Sequence, residues 1–143
     1  MQKTLVRFFG GAVMVCGTWL GLPSSAHAQS PSLDIYADTV PGPARQAVGP
    51  QVIHVHNSGA PANGVSVTFT PPKGAKVDTT CQEDHLPGGL RSYTCVVGAL
   101  GTGQTADITF AISMTKGGTA NVGVDVTYDQ GGSAGALVSI TIF

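Results

Sequence analysis

Two histidines, His54 and His56, lie two positions apart in an alternating segment, and their side chains are the best candidates for chemistry in this chain. Successive side chains of a strand point to opposite faces, so residues two apart share a face. Imidazole nitrogens bind Cu(II) or Zn(II) when a further ligand is available. The alternative is that both are solvent-facing strand residues, because closed metal sites normally need more ligands. His54 and His56 are therefore candidate ligands of a transition-metal site.

Two further groups of polar side chains could hold a ligand or a cation. The first group lies between the two cysteines Cys81 and Cys95 and consists of Glu83, Asp84 and His85. The alternative is that these residues form an ordinary solvated loop tip. The other group could meet at one end of the fold and bind calcium, although it lacks the Asp-x-Asp-x-Asp-Gly spacing of calcium loops; it consists of Asp34, Asp38 and Asp129.

Catalytic motifs give little indication of an enzyme. There is no His-Glu-x-x-His pair and no phosphate-binding Gly-x-x-x-x-Gly-Lys segment. Gly131 to Gly135 match Gly-x-Ser-x-Gly, but a nucleophile elbow needs a helix after its turn, and this chain has no helical periodicity after residue 29. The three tyrosines beyond residue 29 could form a small stacking platform, but burial is the expected state of tyrosines in a β protein; they are Tyr36, Tyr93 and Tyr128. The sequence predicts a protein that is not an enzyme and needs no cofactor.

The first 28 residues have the three-part layout of a cleaved signal peptide. Lys3 and Arg7 precede an apolar run over residues 8–22, and the small residues of Ala26-His27-Ala28 follow. The run is shorter than the roughly 20 residues that a membrane span needs. A lipoprotein signal at Cys16 is the other alternative, but bulky residues precede that cysteine. We expect cleavage after Ala28, which leaves residues 29–143 as one exported domain in the periplasm, at the cell surface or in the medium.

Residues 29–143 carry five basic and eight acidic side chains, a formal net charge of −3. No basic patch is present, so the electrostatic attraction that dominates nucleic-acid binding is absent. No apolar run in this part is long enough to cross a bilayer. Neither nucleic acid nor a membrane span is expected for the mature chain.

Cys81 and Cys95 are the two cysteines left once Cys16 departs with the signal peptide. An even pair in an exported chain predicts a disulfide. Two free buried thiols are disfavoured in an oxidising compartment, and a metal site lacks the CxxC spacing and the additional ligands. A bridge closing a loop of this size stabilises a domain by about 3 kcal/mol.

Alternation of apolar and polar residues with a period of two recurs throughout residues 33–142, with Gly- and Pro-rich turns between the segments. This pattern predicts an all-β protein, an antiparallel β-sandwich of seven to eight strands with one disulfide. The expected inward faces are Ile53 and Val55; Val65, Val67 and Phe69; Ile108, Phe110, Ile112 and Met114; Val122, Val124 and Val126; and Val138, Ile140 and Ile142.

The segment that contains the two cysteines gives weaker strand signals. Residues 76–81 predict a weak strand, residues 82–90 an exposed loop, and residues 91–97 the strand that returns with the second cysteine. The first strand, residues 33–36, and the last, residues 137–142, are the expected candidates for edges at which another chain, or a second copy, adds.

Several short segments, mostly turns and the strands beside them, occur in an order and spacing typical of one domain family. They are His54-Val55-His56-Asn57-Ser58-Gly59, Ala62-Asn63-Gly64-Val65-Ser66-Val67, Pro72-Lys73-Gly74-Ala75, Cys81 with residues 93–100, Gly103-Gln104-Thr105-Ala106 and Asn121-Val122. Together they resemble the "conserved repeat" domain of bacterial and archaeal surface proteins, an immunoglobulin-like (Ig-like) domain of unknown function. The resemblance covers roughly residues 33–130 and implies an Ig-like sandwich that builds adhesive or stalk structures without catalytic residues.

Two functions are compatible with these observations. The first is an exported, non-catalytic Ig-like module for protein–protein association, self-association or envelope structure. The alternative is a periplasmic protein that binds a small ligand, either copper or zinc at His54 and His56 or another solute at the loop between Cys81 and Cys95.

Overall fold

The computed structural model describes residues 30–143, so the predicted signal peptide lies outside the described residues. Nine strands and one short 3-10 turn, Pro87–Gly89, make up this part of the chain. The strands are β1 (Leu33–Asp38), β2 (Val48–Asn57), β3 (Ala62–Thr70), β4 (Lys76–Asp78), β5 (Gln82–His85), β6 (Arg91–Leu100), β7 (Thr105–Ser113), β8 (Gly118–Thr127) and β9 (Ser133–Ile142).

The strands form two antiparallel sheets, one of four strands in the order β1-β2-β7-β4 and one of five in the order β5-β6-β3-β8-β9. Each sheet buries one face against the other, because alternate residues of every long strand are apolar. The predicted all-β, Ig-like sandwich is confirmed. The first and last strands are sheet edges, as expected, and β4 and β5 form the other two edges.

The core lies between the two sheets and consists of the predicted inward faces. All of those residues are buried except Met114, which is only partly buried beyond the end of β7. Phe69 of β3 stacks on Phe110 of β7 with ring centroids 4.7 Å apart, and on Tyr93 of β6 at 5.3 Å. This aromatic cluster joins the two sheets at the centre of the core.

The predicted loop over residues 82–90 contains a strand, β5, which the sequence did not indicate. Its residues are Gln-Glu-Asp-His, types with low strand propensity, and all of them are exposed. Pairing with β6 places Glu83 opposite Tyr93, and the Glu83 carboxylate lies 3.4 Å from Arg91 Nε and 3.3 Å from His85 Nε2. Tertiary pairing, not local propensity, therefore makes this strand.

Asn57 is fully buried at the end of β2, within a segment that the sequence predicted only as a turn. Its Oδ1 accepts hydrogen bonds from the backbone N–H groups of Ser32 (3.2 Å) and Gly59 (3.0 Å). Its Nδ2 donates to the carbonyls of Ala60 (2.8 Å) and Leu100 (2.9 Å). One amide thus ties together the start of β1, the β2–β3 turn and the end of β6.

Asn57→Ala is expected to lower the free energy of unfolding by about 2 kcal/mol, because buried backbone groups lose partners that water cannot fully replace. Ser58→Ala is the matched control, since the neighbouring hydroxyl is exposed and makes only a 3.5 Å contact with Ser32. Urea unfolding of both variants measures the difference. Equal effects of the two substitutions would contradict the role given to the amide.

Candidate functional site

The outer face of the four-stranded sheet carries a polar network centred on His54. Strand register places His54 between Tyr36 of β1 and Asp107 of β7. Its Nδ1 lies 2.6 Å from Asp107 Oδ1, and its Nε2 lies 2.8 Å from Asp38 Oδ2. The Tyr36 ring stacks on the imidazole with centroids 4.8 Å apart. Tyr36 is half-exposed, contrary to the burial expected of it.

The pKa of His54 is raised, first by the hydrogen bond to Asp38 and then by the hydrogen bond to Asp107. Partial burial of the ring opposes this shift, because it disfavours the charged form. In its protonated form the imidazolium donates to both carboxylates. The cation on β2 therefore connects the edge strand β1 to β7 across the sheet.

The contribution of His54 to stability is expected to be pH-dependent. A raised folded-state pKa gives stability that is fully present below the ordinary histidine pKa and is lost as pH rises through the folded value. The loss should not exceed about 1 kcal/mol for each pair, because both carboxylates are mostly exposed and solvent-screened. Urea unfolding at a series of pH values from 5.5 to 9 should show the free energy of unfolding fall by up to about 1 kcal/mol for each ion pair. In His54→Gln the part of this fall that comes from the His54 ion pairs should disappear. If the variant shows the same dependence of unfolding free energy on pH as the unmodified chain, His54 is not its cause.

His54 and His56 share the outer face of the sheet, as their spacing predicted, and both side chains have local partners. His56 Nδ1 lies 2.8 Å from the Thr105 hydroxyl. Within residues 30–143 no group of three or more His, Cys, Asp or Glu side chains is arranged to hold a metal ion. A metal at His54 would have to replace one of its carboxylate hydrogen bonds. Copper or zinc binding at His54 and His56 stays a prediction.

The three aspartates considered for calcium do not converge, so that expectation was wrong. Asp34 and Asp38 lie four residues apart on β1, a separation of about 13 Å along a strand. Asp129 follows β8, where its N–H donates to the Asn63 carbonyl at 2.8 Å. A side chain at Gly64 would collide with the Asp129 carboxylate, which places this residue against the start of β3.

The Cys81–Cys95 disulfide closes the base of the β5–β6 hairpin. The two Cα atoms are 4.8 Å apart, within the range that a disulfide spans. Gln82 pairs with Thr94, so the bridge continues the hairpin ladder by one position. The predicted bridge is confirmed, and the segment that it closes, including Glu83, Asp84 and His85, is a hairpin with an exposed strand.

The free edge of β9 is the second surface with functional potential, and Ser133 to Ser139 are called the β9 edge below. Gly42 covers only the end of the strand, where its N–H donates to the Thr141 carbonyl (3.2 Å) and its carbonyl accepts from the Phe143 N–H (2.9 Å). Backbone groups of a strand alternate between its two sides. Odd-numbered residues of β9 therefore point their N–H and C=O groups away from β8.

An open groove of about 240 Å³ runs between β1 and the β9 edge. Its apolar lining comes from both sheets and includes Ile35, Ala37, Ala136 and Val138. Leu137 stands beside it with 67% of its surface exposed. The groove and the unpaired backbone together form a place where an extended segment fits against the sandwich.

Sequence comparisons find no match, whereas solved structures with a similar fold exist. No protein-family model matches the chain, and no curated protein matches it. The CARDB domain of a Pyrococcus furiosus protein, solved in complex with di-metal ions, is 15% identical with a TM-score of 0.52, covering 79% of this chain and 89% of that domain. A PapD-like domain of human CEP192 is 9% identical with a TM-score of 0.43, covering 85% and 93%.

The chain has an Ig-like β-sandwich fold, as its two sheets and the CARDB similarity show. At 15% identity that similarity concerns the fold alone. Residues 30–143 contain no helix with the length and apolar character of a membrane span.

Proposed function

We propose that this chain is an exported, non-catalytic Ig-like module that acts through protein–protein contact at the cell envelope or surface. The observation that carries the proposal is the β9 edge, where backbone groups that have no partner within residues 30–143 lie beside an apolar groove and the exposed Leu137. Sheet edges of this kind accept an additional strand from another chain. The module would thus hold its partner by main-chain hydrogen bonds.

Export is supported by two independent features. The first is the signal-peptide layout of residues 1–28, and the second is the Cys81–Cys95 bridge, which small domains keep in oxidising compartments. The resemblance to the conserved-repeat domain of surface proteins supports the same location. The sequence offers no recognised nucleophile–base arrangement, and its Gly-x-Ser-x-Gly match at residues 131–135 leads into a strand and not a helix; both points support a binding role and not an enzymatic one.

Photo-crosslinking in cells tests the proposal. The full chain is produced with a photoreactive amino acid in place of Leu137, and separately in place of Val96, an 81% exposed residue on β6 that lies outside the β9 edge. We expect crosslinked adducts from position 137 and none from position 96. Mass spectrometry of the exported chain should show an N-terminus at Gln29. Absence of adducts at position 137, or retention of the chain in the cytoplasm, would contradict the proposal.

A further inference from the structure

We infer that the partner at the β9 edge is a second copy of this chain, paired antiparallel about a two-fold axis at Ala136. This inference rests on the proposed function and names its partner. The pairing would join the five-stranded sheets of two molecules into one continuous sheet. Two-fold pairing of identical surfaces is the commonest way in which chains self-associate.

Among the four sheet edges of residues 30–143, three carry charged side chains. Natural sheets protect their edges with charges, short strands or bulges, because an unprotected edge recruits further strands. The charged residues are Asp34 and Asp38 on β1, Lys76 and Asp78 on β4, and Glu83 and Asp84 on β5. β9 is long, carries no charge and pairs with β8 without a register shift. Of the four edge strands within residues 30–143, β9 is therefore the one without this protection.

The open backbone groups define the register of the pairing. Ser133, Gly135, Leu137 and Ser139 point toward the free edge, whereas Thr141 is already bonded to Gly42. When the β9 edges of two copies pair antiparallel, only one register lets all of these backbone groups form hydrogen bonds between the copies. In that register Ser133 faces Ser139 of the second copy, and Gly135 faces Leu137 of the second copy. The two-fold axis then passes at Ala136.

The side chains of the β9 edge fit the same register. Leu137, exposed on the outer face, would lie over Gly135 of the second copy, which has no side chain of its own. The nearest side-chain atom to that position is Oδ1 of Asp125 on β8, 3.3 Å from where a Cβ would stand. Ala136 would face its own counterpart across the axis, and both are small. No charged residue opposes an identical charge within the paired stretch, an arrangement that would be destabilising. A single strand-to-strand contact is small, so we expect a dimer that dissociates on dilution in the micromolar range.

Sedimentation equilibrium of the exported, disulfide-bonded chain tests the dimer. Leu137→Glu puts a carboxylate into the pairing beside Asp125 of the second copy, and Ser139→Pro removes an edge-facing N–H that the β8–β9 ladder does not use. Each should raise the dimer Kd at least about tenfold, the effect of losing roughly 1.4 kcal/mol. Val96→Glu, an equally drastic change at an exposed apolar residue outside the β9 edge, should leave Kd unchanged. Unchanged circular dichroism confirms that the variants are folded.

Cysteine crosslinking tests the register. At a non-hydrogen-bonded position the two Cα atoms across an antiparallel pair lie about 4.5 Å apart, close enough for a disulfide. Ala136→Cys should therefore form an intermolecular bridge. Ser133→Cys should not, because its counterpart lies six positions away along the pair, about 20 Å. Equal crosslinking at the two positions would overturn the register.

The outcomes separate this inference from the proposed function. A chain that stays monomeric at several hundred micromolar, yet gives an adduct with a different protein at position 137, overturns self-pairing and leaves the association role intact. A dimer that neither Leu137→Glu nor Ser139→Pro weakens overturns the β9 interface. A chain that is monomeric and gives no adduct at all overturns both.

Discussion

Phe69→Ala is expected to lower the free energy of unfolding by about 3–5 kcal/mol, the usual effect of removing a large aromatic side chain from a core. Phe69 is completely buried on β3 and stacks on Phe110 of the opposite sheet and on Tyr93 of its own sheet. The substitution therefore removes the side chain that both sheets share. The rest of the core cannot collapse into the space without moving one sheet relative to the other.

Urea unfolding measured by circular dichroism gives the size of this effect. Val96→Ala is the matched control, because Val96 is an exposed apolar residue on β6 of the same sheet, and a surface change of this kind costs at most about 0.5 kcal/mol. Phe69→Leu should fall between the two, since it keeps most of the volume. A loss below about 1 kcal/mol for Phe69→Ala would contradict the central position given to this residue.

The inward faces of the sandwich could be predicted from the sequence, because a period of two is a local property of each strand. Val65, Val67 and Phe69 were assigned to one face by their spacing alone, and all three are buried. The disulfide could be predicted as well, since only two cysteines follow the predicted signal peptide and two cysteines allow a single pairing. These features depend on residue type and spacing, which a sequence contains in full.

Features that depend on which strands are neighbours could not be predicted. The spacing of His54 and His56 indicated a shared face, but the carboxylates of Asp38 and Asp107 reach His54 only because β1 and β7 flank β2. Asp107 is 53 residues away along the chain. The β5 strand was missed for the same reason, because its residues extend only when β6 supplies the hydrogen bonds.

The difference between the edges of the two sheets connects fold and function. The edge strand β1 carries two aspartates, and one of them, Asp38, is engaged by His54, so this edge is charged and tied into its sheet. The β9 edge has no such group, and its outermost backbone remains unpaired within residues 30–143 except at Gly42. Under the proposed pairing, a sandwich with one protected and one unprotected edge beside the same groove would grow on one side only and would form closed pairs and not fibres.

Loss of the Cys81–Cys95 bridge is expected to lower the free energy of unfolding by about 3 kcal/mol. The two cysteines are 14 residues apart, and closing a loop of that length in the unfolded chain has an entropic cost of this size. The mechanism lies in the unfolded chain, which gains freedom when the link is removed. In a domain of this size such a loss lowers Tm by roughly 10–20 °C. The comparison uses Cys81→Ala/Cys95→Ala and the unmodified chain, each measured by thermal unfolding with and without reductant.

The reductant distinguishes the bridge from the packing of its sulfur atoms. Cys95 is buried against the core, so the double substitution also removes a small amount of apolar contact. Reduction of the unmodified chain keeps both sulfurs and breaks only the link; it should reproduce most of the Tm decrease, whereas the double variant should not respond to reductant. If reduction leaves Tm unchanged while the double substitution lowers it, the stabilisation comes from packing. The hairpin that carries β5 would then have to be held by its pairing with β6 alone.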